Sequence, residues 1–348
     1  MAHARFLVLL LAYSVVVASF AVGANVAIDA FDVLGTGVFT YAGQPAERYI
    51  KIERLQSNPG FNTFILGSSR AGVIRTEDID AAFPGAVSYN LSVSQANQWD
   101  NEQLARWLLD RYPNTSRIII QVDWPSAYGE TKPGYALMTA MHPQISGRSA
   151  TAFALDYITY FSPEAMLAKI ANNVTTRDRL EYDFAKGNWA RPARDRMSSA
   201  DCTSYVRSEP KFRGLPLVAT NRDIIRRNLE SLRRIADMTA RRRVSLIIVL
   251  TAHNHGFLDA IDESDYEYFL REATRIGPIR NMMFYSSLTT NDCDYYEVNH
   301  YRPGVGAQVA NSLSKDAASD FVRTVDSANI DTEVEFIRRN FESHRRGK

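Results

Sequence analysis

The sequence predicts an α/β fold built on a mostly parallel sheet of five strands. Short β-branched and apolar runs alternate along the chain with longer helical patterns, which is typical of parallel sheets. Two of these runs, IIIQV and SLIIVL, lack polar alternation, as expected of central strands buried on both faces. With 45% hydrophobic and 23% charged residues among 348, the composition is that of a globular chain.

Net charge and cysteine content exclude several functional classes. Forty basic and thirty-nine acidic residues give a formal charge of +1, so no global field attracts the chain to nucleic acid. Two cysteines are too few for a disulfide scaffold or a zinc site built from cysteine. We therefore expect no nucleic-acid partner, no metal and no cofactor.

The first element is an apolar segment over residues 6–28 that contains no charged side chain and is long enough to cross a bilayer. His3 and Arg5 precede it, whereas Asp29 and Asp32 follow it. The positive-inside tendency then predicts a single-pass anchor in the cell (inner) membrane, with a cytoplasmic N-terminus and a periplasmic main domain. A cleaved signal peptide and a buried core helix are the alternatives.

The chain after this segment divides into a connector and one large domain. We assign residues 1–30 to the anchor, 31–60 to a connector with a short basic helix, and 61–348 to the α/β domain. The candidate strands are residues 63–66, 86–91, 117–122, 244–250 and 282–285, and the candidate helices are 95–112, 221–243, 265–276 and 303–314. Residues 125–220 fit the alternation poorly and are predicted to form a loop-rich cap over the carboxyl ends of the strands.

Two motifs contain residues capable of nucleophilic catalysis. The first strand runs into Gly67-Ser68-Ser69-Arg70, which places hydroxyls and backbone N–H groups at the carboxyl edge of the sheet. By itself such a turn is more often a helix cap, and it can also hold a phosphate. Near the other end, Glu297 precedes His300 by three residues, so its carboxylate can orient an imidazole that acts on a serine.

At these residues the sequence resembles the SGNH (GDSL-like) hydrolase superfamily, in particular its membrane-anchored members associated with envelope and exopolysaccharide acylation. The similar segments are the N-terminal anchor, FILGSSRAGVI, YNLSVSQAN, IIIQVDWPSAY and YYEVNHYRPGVGAQV. The resemblance implies a three-layer α/β/α, flavodoxin-like fold. It also implies Ser69 as nucleophile, His300 as general base and Glu297 in place of the usual aspartate, with Asp294 as the other candidate for that third position.

The oxyanion hole departs from the pattern of the family. The glycine of the second block is missing from Asn90-Leu91-Ser92-Val93-Ser94, and the third-block G-x-N-D reads Gln121-Val122-Asp123-Trp124. Backbone N–H groups of Ser69 and of Ser92 or Ser94 remain possible donors, whereas an ionised Asp123 would repel an oxyanion.

Further residues are expected to contact the substrate or line its pocket. They are Ser68, Arg70, Ser92, Ser94, Asp123, Trp124 and His253. His253 and His255 are also spaced for a metal, but no further ligands lie near them in the sequence. Aromatic residues of the cap, Trp189 among them, can either stack on sugar rings or form a small core.

Two functions are compatible with these features. One is an extracytoplasmic serine esterase or O-acyltransferase that acts on an acylated carbohydrate or cell-envelope polysaccharide, in association with envelope-biosynthesis proteins. The alternative is a non-catalytic SGNH-like envelope protein that binds a glycan or a partner protein. Cys202 and Cys293 lie in polar segments and can pair outside the cytoplasm; two free buried thiols are the other possibility.

Overall fold

The computed structural model describes residues 2–41, 43, 45–128, 141–175, 179–212, 220–314 and 319–347. The chain begins with one long helix, α1 (Ala2–Ile28). A helix satisfies its own backbone hydrogen bonds, and this one carries no charged residue after Arg5. It is long and apolar enough to cross a membrane, and none of the 18 residues of its most apolar stretch is buried inside the fold. The predicted apolar span is therefore confirmed as a helix of sufficient length.

The chain divides into two compact units, Met1–Glu53 with Gly134–Tyr182 and Arg54–Pro133 with Asp183–Lys348. The helices of the first unit are α1, most of α2 (Glu47–Gln56), α6 (Pro143–Ser146), α7 (Ala150–Thr159) and α8 (Pro163–Val174). Phe31, Phe153, Tyr157 and Met166 are the large side chains of its apolar core. Part of the predicted cap thus belongs to the same unit as the apolar N-terminal helix.

The second unit is built on a six-stranded sheet. Its strands are β1 (Thr63–Leu66), β2 (Ser88–Asn90), β3 (Arg117–Val122), β6 (Ser245–Leu250), β7 (Ile279–Asn281) and β10 (Arg323–Val325). They lie in the order β10-β7-β6-β3-β1-β2, and only β10 is antiparallel to its neighbour. The apolar runs of β1 and β3 are buried because both strands lie inside the sheet. The α/β class and the mostly parallel sheet are confirmed.

Helices fill the connections between these strands. They are α3 (Thr76–Ala82), α4 (Gln98–Arg111), α5 (Trp124–Tyr128), α11 (Arg222–Arg241), α12 (His255–Leu258), α13 (Glu263–Ala273) and α14 (Pro303–Leu313), while α15 (Ile330–Arg346) follows the last strand. Helix α4 begins with a capping box, in which Asn97 and Asp100 exchange side-chain to backbone hydrogen bonds. Helix α14 begins with Pro303, which needs no backbone donor in the first turn.

Two details of the predicted sheet are wrong. The sheet has six strands rather than five, because the short segment Arg323–Val325 pairs antiparallel with β7 at the edge. The fifth predicted strand, residues 282–285, lies just after the observed strand Ile279–Asn281. Met282 and Met283 are fully buried, so the apolar run marks a core segment and the pairing strand precedes it.

The predicted cap is mainly helical where the structure describes it, so its loop-rich character is corrected. Beyond α5 to α8 it contains a hairpin of β4 (Glu181–Asp183) and β5 (Asn188–Ala190), then α9 (Pro192–Ala200) and α10 (Cys202–Ser208). Residues 129–140, 176–178 and 213–219 of that segment lie outside the described residues. A second hairpin, β8 (Tyr295–Glu297) with β9 (His300–Tyr301), precedes α14.

Candidate active site

The turn after β1 presents Ser69 at the carboxyl edge of the sheet. Gly67 has φ +149°, and a Cβ there would lie 2.9 Å from the Ala71 side chain and 3.0 Å from Gln121. Only glycine therefore fits this position. The Ser68 carbonyl accepts the Ala71 N–H (3.0 Å) and starts a short 3-10 helix. Ser69 itself stays partly exposed, as a nucleophile that meets a substrate must be.

The β8–β9 hairpin brings a histidine and a carboxylate to this serine. Glu297 and His300 are paired across the two strands, so their side chains lie close together. Ser69 Oγ lies 2.8 Å from His300 Nε2, and His300 Nδ1 is hydrogen-bonded to Glu297 Oε1. The other carboxylate oxygen, Oε2, accepts the backbone N–H of Asn299 at 2.8 Å. Serine, histidine and carboxylate thus form one continuous hydrogen-bonded chain.

The charge state of Glu297 determines the histidine tautomer. Burial by itself would raise the pKa of Glu297, but the hydrogen bond from His300, with the Asn299 N–H and the positive charge of Arg70, lowers it below its ordinary value. The ionised carboxylate can only accept, so His300 Nδ1 carries a proton. His300 Nε2 is then free to accept the proton of Ser69.

A second polar cluster lies beside the serine and includes three residues predicted to bind substrate. The Asp123 carboxylate, at the end of β3, accepts a hydrogen bond from Ser68 Oγ and pairs with Arg70 Nη1 at 3.0 Å. Arg70 Nε also donates to the Asn299 carbonyl (2.7 Å). The guanidinium is buried, so this bridge fixes the turn of residues 67–70 to the loop between Glu297 and His300.

The predicted oxyanion donors differ in their surroundings. Both the N–H and the hydroxyl of Ser92 donate to Asn90 Oδ1 (3.1 and 2.6 Å), so they point to β2. The half-buried Ser94 lies in the same segment. The Val93 N–H donates to the Gly67 carbonyl (3.0 Å), which holds this segment to the turn that contains Ser69. No described residue accepts the N–H of Ser69, which leaves that group available to an oxyanion.

Trp189 is a positioning residue whose role the sequence did not reveal. Its indole Nε1 donates to the Ser69 carbonyl at 2.9 Å, and its ring stacks near Tyr296 and meets His300 edge-on. A Cβ on Gly72 would come within 2.2 Å of this indole, so glycine opens the slot that the ring occupies. The ring is almost fully buried, which favours the small-core role over sugar stacking.

Two crosslinks hold α9 and α10 to the segment that bears Glu297. Cys202, at the start of α10, forms a disulfide with Cys293, four residues before Glu297. Arg302 Nη1 donates to the Asp195 carboxylate on α9 at 3.0 Å, and its Nε donates to the carbonyl of Tyr295. Together they restrict the motion of the hairpin that positions the histidine.

Two predicted roles change with the tertiary structure, and one alternative is decided. Trp124 is fully buried and packs edge-on against Tyr266 and Phe269, so it is a core residue rather than a substrate contact. His253 is fully buried as well and stacks on Phe257, so it does not line an open pocket. Asp294 accepts a hydrogen bond from Asn291, while Glu297 is the carboxylate that contacts His300.

The buried His253 is neutral. Burial, together with the positive charge of Arg70 nearby, holds its pKa well below the ordinary value of 6.5. Within the described ranges no group of three or more His, Cys, Asp or Glu side chains is arranged to hold a metal ion.

Comparison of the sequence with protein-family models gives no match, and comparison with curated proteins gives no match either. The geometry of Ser69, His300 and Glu297 and of the groups around them is therefore the basis for a functional proposal.

Proposed function

We propose that this protein is an extracytoplasmic serine esterase or O-acyltransferase of the SGNH type that acts on an acylated carbohydrate of the cell envelope. The observation that supports this most directly is the hydrogen-bonded chain from Ser69 Oγ through His300 to Glu297. Serine hydrolases on unrelated folds use this arrangement of nucleophile, base and orienting carboxylate.

The chemistry follows from the positions of the protons. Ser69 Oγ attacks the ester carbonyl carbon while His300 Nε2 takes the hydroxyl proton, and Glu297 stabilises the imidazolium that results. The tetrahedral intermediate breaks its bond to the sugar oxygen, which leaves with the proton from His300. Water then resolves the acyl-serine in an esterase, and a second sugar hydroxyl resolves it in a transferase. His300 acts as base in that step also.

The sheet supports the SGNH assignment. Counted along the chain, the five parallel strands lie in the order 2-1-3-4-5, which is the order of flavodoxin-like doubly wound sheets. In such sheets ligands bind beyond the carboxyl ends of the strands, and Ser69 and Asp123 follow the ends of β1 and β3.

The charged residues on either side of the apolar span and the disulfide support an extracytoplasmic compartment for the main domain. His3 and Arg5 precede the apolar span and Asp29 and Asp32 follow it, which favours a cytoplasmic N-terminus and a periplasmic main domain. A disulfide is typical of that oxidising side of the membrane. Envelope polysaccharide and the proteins that make it are then the expected substrate and partners.

The test uses the full chain in detergent micelles with a fluorophosphonate probe and p-nitrophenyl acetate. We expect the parent protein to be labelled and to release p-nitrophenol, and Ser69→Ala to do neither, because its hydroxyl is the acyl acceptor. The adjacent Ser68→Ala is the control and should retain labelling. An unlabelled parent protein, or labelling that persists in Ser69→Ala, would refute the proposal. An acetylated donor incubated with and without an acceptor oligosaccharide separates transferase from esterase by the mass of the products.

A second candidate, a non-catalytic protein that binds a glycan or a partner, is favoured by two observations. A carboxylate, Asp123, stands where the family has a hydrogen-bond donor, and Ser92 directs both of its donors to Asn90. Pairing of Asp123 with Arg70 offsets the negative charge, so we rank catalysis first. Glycan binding by a folded protein that shows no labelling or turnover would reverse this ranking.

A further inference from the structure

Helices α7 and α8 of the first unit, with the short link between them, carry large apolar side chains that are exposed. Leu155, Tyr160, Phe161, Leu167 and Val174 are between 41% and 75% exposed. Scattered exposed apolar residues are ordinary, but here five occur within twenty residues of one helical pair. This surface, defined by those five side chains, is called the α7–α8 face below.

Few charges interrupt this part of the chain. Residues 150–175 contain three charged side chains, namely Asp156, Glu164 and Lys169. Lys169 is buried and its ammonium binds the Asp32 carboxylate, while Asp156 is paired with Arg148. Such a low density of charge is unusual for a solvated helical pair, because the water-facing side of a surface helix ordinarily carries charged and polar residues.

The C-terminal end of α1 packs against the same two helices. Ala24 and Ile28 contact the core that contains Tyr157 and Ala165. The Asn25 side chain donates to the carbonyl of Tyr157 at 2.6 Å, which joins the last turns of α1 to the end of α7. The position of α1 in a membrane therefore determines the height of α7 and α8 above it.

The length of α1 gives that height. About 20 helical residues cross the hydrocarbon core of a bilayer, and counted from Phe6 they end near Asn25. Ala24 and Ile28, which pack against the core of the helical pair, therefore lie near the level of the headgroups. Tyr160, between α7 and α8, is of a residue type enriched at that level, and the adjacent Phe161 is of a type found on the apolar face of interfacial helices.

We propose that the α7–α8 face lies on the bilayer that holds α1, with its apolar side chains inserted into the interface of the outer leaflet. The protein would then have two membrane contacts, a spanning helix and an interfacial helical pair. A lipid surface is favoured over a second copy of the chain because the same helices are already tied to the membrane-spanning helix at headgroup height. This inference is independent of the acyl-transfer chemistry.

Spin labelling of the full chain in vesicles of phosphatidylcholine and phosphatidylglycerol tests the proposal. The two native cysteines are joined in a disulfide, so an introduced cysteine is the single free thiol. We would label Leu167→Cys and Phe161→Cys. The matched control is Val87→Cys, an exposed apolar position of the second unit, and Leu11→Cys reports on α1. Accessibility of each nitroxide to oxygen and to a water-soluble nickel chelate gives its depth.

We expect the ratio of oxygen to nickel accessibility at Leu167 and Phe161 to exceed that at Val87 by about threefold or more, as for residues at the acyl-chain boundary. A ratio equal to that at Val87, with Leu11 buried in lipid, would overturn the proposal while leaving the anchor intact. Low accessibility to both reagents with dipolar broadening would identify a second copy as the occupant and also overturn it. A water-exposed Leu11 would overturn the anchor and the proposal together.

Discussion

Replacement of Glu297 by glutamine tests the catalytic chain most sharply, because the two carboxylate oxygens have different partners. Oε1 accepts from His300 Nδ1 and Oε2 accepts from the Asn299 N–H. A glutamine can keep only one of these acceptors. If its NH2 group faces the Asn299 N–H, two donors oppose each other. If its NH2 group faces His300 Nδ1, that nitrogen must accept the hydrogen bond, so the imidazole proton moves to Nε2.

Both orientations reduce turnover. In the second orientation His300 Nε2 carries the proton and cannot accept that of Ser69, whose oxygen lies 2.8 Å away. The variant also loses a charge-assisted hydrogen bond worth about 1.5–3 kcal/mol. At about 1.4 kcal/mol per factor of ten this loss alone lowers kcat roughly 10- to 100-fold. The wrong tautomer extends the expected loss to about ten-thousandfold.

The assay is steady-state hydrolysis of p-nitrophenyl acetate, with the rate of fluorophosphonate labelling as a second measure. We expect kcat to fall and KM to change little, because Glu297 is buried and acts through His300. Asp294→Asn is the matched control on the same loop, since its carboxylate contacts Asn291. Thermal unfolding of both variants checks that they fold. If Glu297→Gln keeps full kcat, or Asp294→Asn loses activity instead, the assigned triad is wrong.

Three further predictions concern the supports of the site. Gly72→Ala should displace the Trp189 indole, because a Cβ would come within 2.2 Å of it. We expect a lower kcat and a change in indole fluorescence, and an unchanged rate and spectrum would contradict the positioning role of Trp189. Replacing Cys202 and Cys293 by serine should lower the free energy of unfolding by about 2–4 kcal/mol in urea titrations, whereas equal stability would mean that the crosslink is dispensable. Because the folded pKa of Glu297 lies below its ordinary value of 4.5, its ionised form adds stability above pH 4.5 that disappears at lower pH. The stability difference between the parent protein and Glu297→Gln should therefore shrink as pH falls below 4.5, and a difference that grows would refute this.

The central strands could be predicted from sequence because their signal is local. β1 and β3 have the predicted bounds, since an apolar run that ends at a turn or polar residue leaves little choice of register. β7 and β10 could not be located in this way. Ile279–Asn281 and Arg323–Val325 are three residues each, and they are strands because β7 pairs with β6 and β10 pairs with β7 at the edge of the sheet.

The site shows the same division. The sequence by itself determined that Ser69 follows an apolar strand and that Glu297 precedes His300 by three residues, because these are relations between neighbours in the chain. Only the tertiary structure decided that the serine and histidine, 231 positions apart, lie within hydrogen-bond distance.

The tertiary structure also reassigned residues that looked alike in the sequence. In the sequence Trp124 and Trp189 are both candidates for contact with a substrate, yet Trp124 fills the core beside Phe269 and Trp189 binds the Ser69 carbonyl. Likewise Asp123 became a partner of Arg70. Side-chain roles of this kind depend on burial and on partners distant in sequence, and packing of the whole chain sets both.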